Sequence, residues 1–325
     1  MPSPSPTPAF DVVMLGGDVG VYALARAFHE AFAVRSTVIS RQPTGPVTDS
    51  AIIDNHFLGP AATEDDHVEE LLRRGRERTG TVPVLLLANT DVWSRVFAER
   101  RAELDEFYLL SLVDVDTLDV VGDKGRFDEV CREVGVPTPR THVQDFAGAD
   151  DPGWAPAPLP EDLAFPLVAK AAASSEHDLL EYPGKNKVDF VRSQDQLDDL
   201  WRRLRDAGFR DRFVVQDLVP GDDTWMRSVT AYRDQFGTVT MMCTAQVLLE
   251  EHTPLALGNP CAMVTTPYPD VMDHARRLLD HLDYHGFANF DVKVDPRDGT
   301  ALFLEVNPRI GRNNYYVTAS GVNVA

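Results

Sequence analysis

Cysteine is scarce in this sequence: Cys131, Cys243 and Cys261 are isolated, odd in number, and show neither CxxC spacing nor a histidine at ligand distance. That excludes a disulfide framework and a cysteine-held zinc site, and it points to a reducing compartment, the cytoplasm. The three thiols read as inert and partly buried. Basic residues are also in short supply, with 31 lysines and arginines against 51 aspartates and glutamates and a formal net charge of −20. A surface this acidic repels a phosphate backbone, which excludes nucleic acid as the main partner and polybasic adhesion to a membrane. It leaves room for a small polyanion, which needs only a few cations gathered in a cleft. Long apolar runs are missing too, and no stretch approaches the ~20 residues that cross a bilayer. Residues 1–9 have no cationic region followed by an apolar one, so they read as a short disordered leader rather than a signal peptide.

What is present is the balance of an ordinary globular protein, 43% hydrophobic and 25% charged, and at roughly 150 residues per domain the 325 residues fit about two domains. Residues 12–15 form an apolar strand, residues 16–20 a glycine turn, and Ala25, Phe28 and Phe32 the apolar face of a helix, the opening of a βαβ unit. Strands at 37–40 and 84–88, with a helix at 66–78 between them, continue the alternation and predict a parallel sheet. Residues 144–166, dense in Pro, Gly, Ala and acid, read as a connection or surface insertion. Beyond them a helix at 194–207 has Ser193 as cap, Gln196 as the other half of a capping box, and Leu197, Leu200, Trp201 and Leu204 on one face. Strands at 225–232 and 239–245 flank a hairpin signal, a helix spans 271–285, and strands at 289–295 and 301–307 follow. The second half is therefore α+β.

The last strand pair carries the most chemistry. Alternation puts Asp291, Lys293 and Asp295 on one face of the first strand and Glu305 and Asn307 on one face of the second. A five-residue loop at 296–300 sets Asp291 opposite Glu305, whereas a loop one residue shorter sends them to opposite faces. Opposed carboxylates repel unless a cation lies between them. The pair reads either as a solvated hairpin face or, with the Asn307 amide, as hard oxygen ligands for Mg²⁺. Upstream, Lys170 ends an apolar strand, as a snorkelling edge lysine or a phosphate contact. The strand at 213–217 runs into a turn whose backbone can meet a purine edge, with Asp223 placed to accept from ribose hydroxyls.

The order of these signals carries a resemblance. Asp123-Lys-Gly-Arg-Phe127, Gly135-Val-Pro-Thr-Pro139, Phe165-Pro-Leu-Val-Ala-Lys170, Val215-Gln-Asp-Leu-Val-Pro-Gly221, Phe290-Asp-Val-Lys293 and Leu304-Glu-Val-Asn-Pro-Arg309 together resemble the ATP-grasp ligases. Within that superfamily the chain is similar to the carboxylate-amine ligases that include the D-aspartate ligases of peptidoglycan cross-bridges. The resemblance implies a Rossmann-like pre-ATP-grasp domain over 10–122 and a two-lobed ATP-grasp domain over 123–325, with a lid lobe at about 140–222 and further chain beyond Ala325. It implies that Lys124 and Lys170 bind ATP phosphates, that Gln216 with backbone atoms of Asp217 and Val219 reads adenine, and that Asp223 holds the ribose. Asp291, Glu305 and Asn307 become ligands of one or two Mg²⁺ ions, with Mn²⁺ as the alternative. Arg309, with Lys293 and Arg312, neutralises the transferred phosphoryl group or an acyl-phosphate.

The implied function is ATP-dependent amide formation between a small-molecule carboxylate and an amine, D-aspartate and a peptidoglycan precursor, in a cytoplasmic enzyme that forms a homodimer. An L-amino-acid (dipeptide) ligase is the nearest alternative. Two features depart from the family pattern. The segment after Lys170 is not glycine-rich, and Ser174, Ser175, Lys185 or Lys187 are expected to reach the phosphates in place of backbone amides. Asn307 is also followed by little further chain. A nicotinamide-dependent oxidoreductase, suggested by the glycine turn with Arg41 ending the next strand, lacks GxGxxG spacing. A non-catalytic nucleotide-binding module is the other rival, opposed by the retained Asp291, Glu305, Asn307 and Arg309. Arg227 is a candidate for substrate carboxylate, and Asp18 and Tyr22 for the cleft. His177 and His252 read as loop or surface residues.

Overall fold

In the computed structural model of the chain, residues 10–78, 80, 82–173, 177, 179–253 and 258–325 are described. They fall into two compact units, each built from separated stretches of sequence: the larger takes the chain up to Leu118 with Arg227–Phe290 and Asn307–Ala325, the smaller Asp119–Met226 and Asp291–Val306. The units follow packing, so they cross the linear division at 122/123 that motif order suggests.

The larger unit opens with β1 (Asp11–Leu15), α1 (Val19–Phe32), β2 (Ser36–Ser40), α2 (Gly45–Thr48), β3 (Ile53–Phe57), α3 (Glu64–Glu77), β4 (Val84–Ala88), α4 (Asp91–Glu99) and α5 (Arg101–Leu104). The strands form a parallel sheet in the order β3-β2-β1-β4. Both faces are covered, because the period-2 pleat divides β1 between two cores. Val12 and Met14 pack with Leu24, Phe28 and Val38, whereas Val13 and Leu15 pack with Ile39, Leu71, Leu86, Trp93 and Phe97. Strand β3 escapes the sequence reading because Ile-Asp-Asn-His-Phe carries only two apolar residues, which an edge strand tolerates. The first helix starts where expected, with the Asp18 side chain accepting from Gly20 N and Val21 N.

After α6 (Val115–Gly122), the smaller unit contains α7 (Lys124–Glu133), β5 (Thr141–Asp145), β6 (Leu167–Ala171), β7 (Asp189–Val191), α8 (Gln194–Asp206) and β8 (Arg212–Asp217). Its antiparallel sheet, β5-β8-β6-β7, packs against the apolar face of α8: Leu197, Leu200, Trp201 and Leu204 meet Leu167, Phe213 and Val215. Ser193 caps α8, but the Gln196 side chain accepts from Arg192 N at 2.8 Å rather than from the cap, so the capping box is only half made. Residues 144–166 are more than a surface insertion. Phe146, Ala149 and Leu163 are buried, and Trp154 packs against Phe146 with ring centroids 5.0 Å apart and planes tilted by 36°.

The remaining strands are β9 (Met226–Arg233), β10 (Val239–Glu250), β11 (Pro260–Thr265), β12 (Gly286–Val294) and β13 (Ala301–Asn307), in the sheet order β11-β10-β9-β12-β13, with helices α9 (Pro269–His281) and α10 (Tyr315–Ala319). The chain leaves the larger unit within β12, after Phe290, and re-enters it at Asn307. Gly286 is required where β12 begins: its φ is +90°, and a Cβ there would stand 2.2 Å from Ser111 O. The last residues are well anchored in the larger unit, with Ile310, Val317 and Val324 buried beside α1.

Two readings of single residues change. Cys261 is exposed, because it lies on edge strand β11, while Cys131 is buried. His177 is a core residue rather than a surface one, 3% exposed, bonded to Tyr182 at 2.8 Å and packed on Phe209 and Phe213. No helix among the described residues is long and apolar enough to cross a membrane.

Candidate active site

The smaller unit gathers two lysines and two carboxylates. Lys124 is the first residue of α7, whose cap Asp123 accepts from Arg126 N and pairs with Arg212. The backbone N of Lys124 donates to Ala172 O at 3.1 Å, fastening the helix start to the end of β6. Along β6, Leu167, Ala169 and Ala171 point inward, so Lys170 stands on the other face. Lys124 Nζ lies 3.5 Å from Ala172 O and 3.8 Å from Glu305 Oε2. Lys170 is half-buried, and the loss of solvent pushes its ammonium down to about 8; Glu305 and Asp291 oppose that shift, and Lys124 and Lys187 reinforce it. Four residues singled out from sequence, Lys124, Lys170, Asp291 and Glu305, thus act on one another.

The hairpin reaches this arrangement by another route than the one expected. Asp295 N donates to Thr300 O at 2.8 Å and Gly299 N to Asp295 O at 2.8 Å, so the bonded pair encloses four residues rather than five. A strict pleat after so short a loop would turn Glu305 away from Asp291. In β13, however, Phe303 and Val306 are buried while Glu305 is partly exposed, and its Oε2 comes within 3.8 Å of Lys124 Nζ.

The other predicted contacts of this unit are more varied. Ser174 and Ser175 lie outside the described residues. Lys185 Nζ donates to Leu180 O at 2.6 Å, within its own loop, whereas Lys187 is near enough to Lys170 to perturb it. Lys293 Nζ donates to Gly221 O at 2.9 Å, holding the turn that follows β8. Gln216 is buried, its amide donating to Thr141 Oγ1 at 2.9 Å, and the Asp217 carboxylate accepts from Arg140 at 2.6 Å. Val219 is buried, and Asp223 begins the 3-10 turn Asp223–Trp225. Its neighbour Asp222 is occupied by Thr224, whose backbone and hydroxyl both donate to it and hold its carboxyl below the usual range.

In the larger unit the polar groups cluster around residues 307–314. Asn307 Nδ2 donates to Asn289 O at 3.4 Å, and Asn307 Oδ1 accepts from Arg309 Nη2 at 3.0 Å. Arg309 Nε meets Asp91 Oδ1 at 3.3 Å. Arg312 lies between two acids, Glu251 at 2.8 Å and Asp18 at 3.7 Å. Asp18 in turn accepts from Asn89 Nδ2 at 2.8 Å. Gly20 is needed here, since a Cβ would come within 2.4 Å of Asn89 Nδ2 and 2.8 Å of Arg312 Cα. Arg227 is buried under the Tyr268 ring, 4.8 Å from its centroid. The sequence reading misses Asn89, Asp91 and Glu251. A signal exists for the first two, because polar residues just past the carboxyl end of a parallel strand sit where open α/β sheets bind ligands. Arg41 is paired with Glu64 at 3.1 Å.

Among the described residues there is no cluster of three or more His, Cys, Asp or Glu side chains arranged for a metal. The carboxylates of Asp291 and Glu305 are of the kind Mg²⁺ takes, since it keeps several waters and uses one or two carboxylates together with substrate phosphates rather than a protein cage.

Residues 123–324 match the family model described as the ATP-binding domain of the carbamoyl-phosphate synthase L chain. Over 318 residues the chain is 31% identical to the D-aspartate ligase of Enterococcus faecium, a match covering 97% of this chain and 75% of that protein. Among solved structures it resembles the L-amino acid ligase from Bacillus licheniformis, with a TM-score of 0.64 at 15% identity, covering 96% of this chain and 71% of the other. It also resembles the biotin carboxylase domain dimer of Hydrogenobacter thermophilus 2-oxoglutarate carboxylase in complex with MgADP, ADP and bicarbonate, with a TM-score of 0.70 at 13% identity, covering 97% of this chain and 67% of the other. At those identities the two structural likenesses speak for the fold alone.

Proposed function

The chain belongs to the ATP-grasp family of carboxylate-amine ligases, and on that premise we propose that it activates D-aspartate and joins it to an amine of a peptidoglycan precursor. The observation that carries the choice of substrate is the 31% identity to a D-aspartate ligase across most of both chains.

A carboxylate is a poor electrophile. It first attacks the γ-phosphorus of ATP, releasing ADP; the amine then adds to the acyl carbon of the acyl-phosphate, and inorganic phosphate leaves. Both partners of the first step are anions, so cations held ready in place lower the barrier most. Lys124 and Lys170 take that part for the phosphates. Arg309 meets the transferred phosphoryl group, and its planar fork suits a tetrahedral anion. Lys293, tied to Gly221 O, shapes the adenine turn instead, and Arg312, balanced by Asp18 and Glu251, orders the polar groups beside α1. The backbone of Asp217 and Val219 reads adenine, Gln216 braces that strand end through Thr141, and Asp223 takes the ribose. Asp291, Glu305 and Asn307 would hold Mg²⁺, which when bound neutralises the phosphate charge. Residues 10–122 act as the Rossmann-like lead domain and 123–325 as the ATP-grasp domain. ATP dependence puts the reaction in the cytoplasm, and a homodimer is the proposed assembly.

The test is an ADP-release screen of D- and L-aspartate and other amino acids, with hydroxylamine as a general amine that traps acyl-phosphates as hydroxamates, followed by precursor amines. ADP release and hydroxamate that depend on D-aspartate are expected. Silence with every carboxylate and amine would sink the reading, and a response confined to L-amino acids would replace its substrate.

A further inference from the structure

Arg309 sits in a demanding place. Its side chain is only 17% exposed, and a guanidinium so enclosed needs an opposing charge to stay there. The backbone that carries it is held at both ends: Arg309 N donates to Asn307 O at 2.8 Å, and Ile310 is buried. Five N–H donors remain to be oriented. Asn307 Oδ1 engages one Nη2–H at 3.0 Å, and the Asp91 carboxylate lies 3.3 Å from Nε on the other side of the fork. The Asp91 contact is an ion pair, and the buried Nε makes no hydrogen bond.

Asp91 is itself well placed to act as a fixed point. It is the first residue of α4, Thr90 caps that helix by accepting from Trp93 N, and Trp93 and Phe97 anchor it in the core. The preceding Asn89 is buried and bonded to Asp18, so the whole corner after β4 is pinned. The Asp91 carboxylate, by contrast, is 59% exposed, so its charge is not needed to fill a core.

We propose that Asp91 is a positioning residue for Arg309: by drawing the Nε edge toward α4, it turns the Nη edge toward the phosphoryl group in transfer. The inference rests on the function proposed for Arg309, and its test separates the two. Asp91→Asn keeps the shape and removes the charge. With D-aspartate and hydroxylamine it lowers kcat about tenfold to a hundredfold, the scale of a misplaced catalytic group, while MgATP affinity and the thermal midpoint stay at wild-type values. Asp91→Glu recovers part of the loss. Independently of the carboxylate substrate, orthovanadate, a phosphoryl mimic, binds the MgADP-loaded Asp91→Asn protein at least about tenfold more weakly than wild type. In the Asp91→Asn background, Arg309→Lys costs less than it does in wild type, as expected for residues that act as one unit. Wild-type vanadate affinity in Asp91→Asn overturns the proposal. So does a joint loss of MgATP binding and thermal stability, which marks a structural role. If Arg309→Lys in the wild-type background leaves both kcat and vanadate affinity unchanged, the role assigned to Arg309 fails first and takes the proposal with it.

Discussion

The two units hold their cations by different means. In the smaller unit Lys124 stands 3.8 Å from Glu305, near the outer limit of an ion pair, and Lys170, favoured by Glu305 and Asp291, still has a weakened hold on its proton. In the larger unit Arg309 and Arg312 are matched against Asp91, Asp18 and Glu251. Lysine responds to burial by shifting its pKa, whereas arginine stays charged and spends its donors on orientation. The lysine group is therefore suited to gaining a ligand's negative charge, and the arginine group to aiming at one. In a chain carrying −20 overall, both groups keep their cations among balancing acids rather than on a basic surface.

The most damaging way to break the comparison is to remove Lys170. Lys170→Met weakens ATP binding about a hundredfold, roughly 3 kcal/mol, the scale expected when an enclosed phosphate is deprived of a charge-assisted hydrogen bond. Isothermal titration checks it, and a change below threefold would contradict the assignment. Glu305→Gln comes next: the Mg²⁺ concentration for half-maximal ADP release rises about tenfold, because one hard anionic ligand is removed. An unchanged Mg²⁺ requirement would argue that Glu305 only balances Lys124.

A pH series sharpens the contrast between lysine and arginine. Burial lowers the Lys170 ammonium from 10.5 to about 8 in the ligand-free protein. Above that pH the group is mostly neutral, and ATP binding must first restore its proton. The ATP dissociation constant then rises by up to about tenfold per pH unit above 8, and Lys170→Arg flattens the rise. For the same reason the unfolded chain binds more protons than the folded one between about 8 and 10.5, so this group's contribution to stability improves as pH climbs through that window. The smallest effect concerns the segment after β6. Lys187→Ala weakens ATP binding severalfold, whereas Lys185→Ala, which gives up a bond to Leu180 O, changes it less than about twofold. Equal losses in both would erase the distinction.

Much of this is legible in the chain. The apolar face of Leu197, Leu200, Trp201 and Leu204, the Ser193 cap and the turn between β9 and β10 are signals confined to a few residues, and the structure keeps them. The failures share a cause, which is that local rules do not see the competing partners. Spacing assigns Gln196 to the cap, yet a side chain bonds the nearest unsatisfied N–H, here that of Arg192. Edge strand β3 has little apolar content because only part of it needs covering. The Pro- and Gly-rich composition of residues 144–166 suggests a surface connection, but a few aromatic anchors, Phe146 and Trp154, suffice to bury part of an irregular segment.

The sequence by itself determined the order of the elements, the family motifs, and the residue types proposed to meet phosphate and metal, because periodicity, capping and turn chemistry act over one or two turns of chain. Only the tertiary structure decided that each compact unit is assembled from separated stretches, that Glu305 comes beside Lys124 and acts on Lys170, and that Asp91 stands beside Arg309. Those outcomes depend on packing between segments far apart in the chain. The desolvation that weakens the proton on Lys170 arises the same way, from neighbours that no local window of sequence contains.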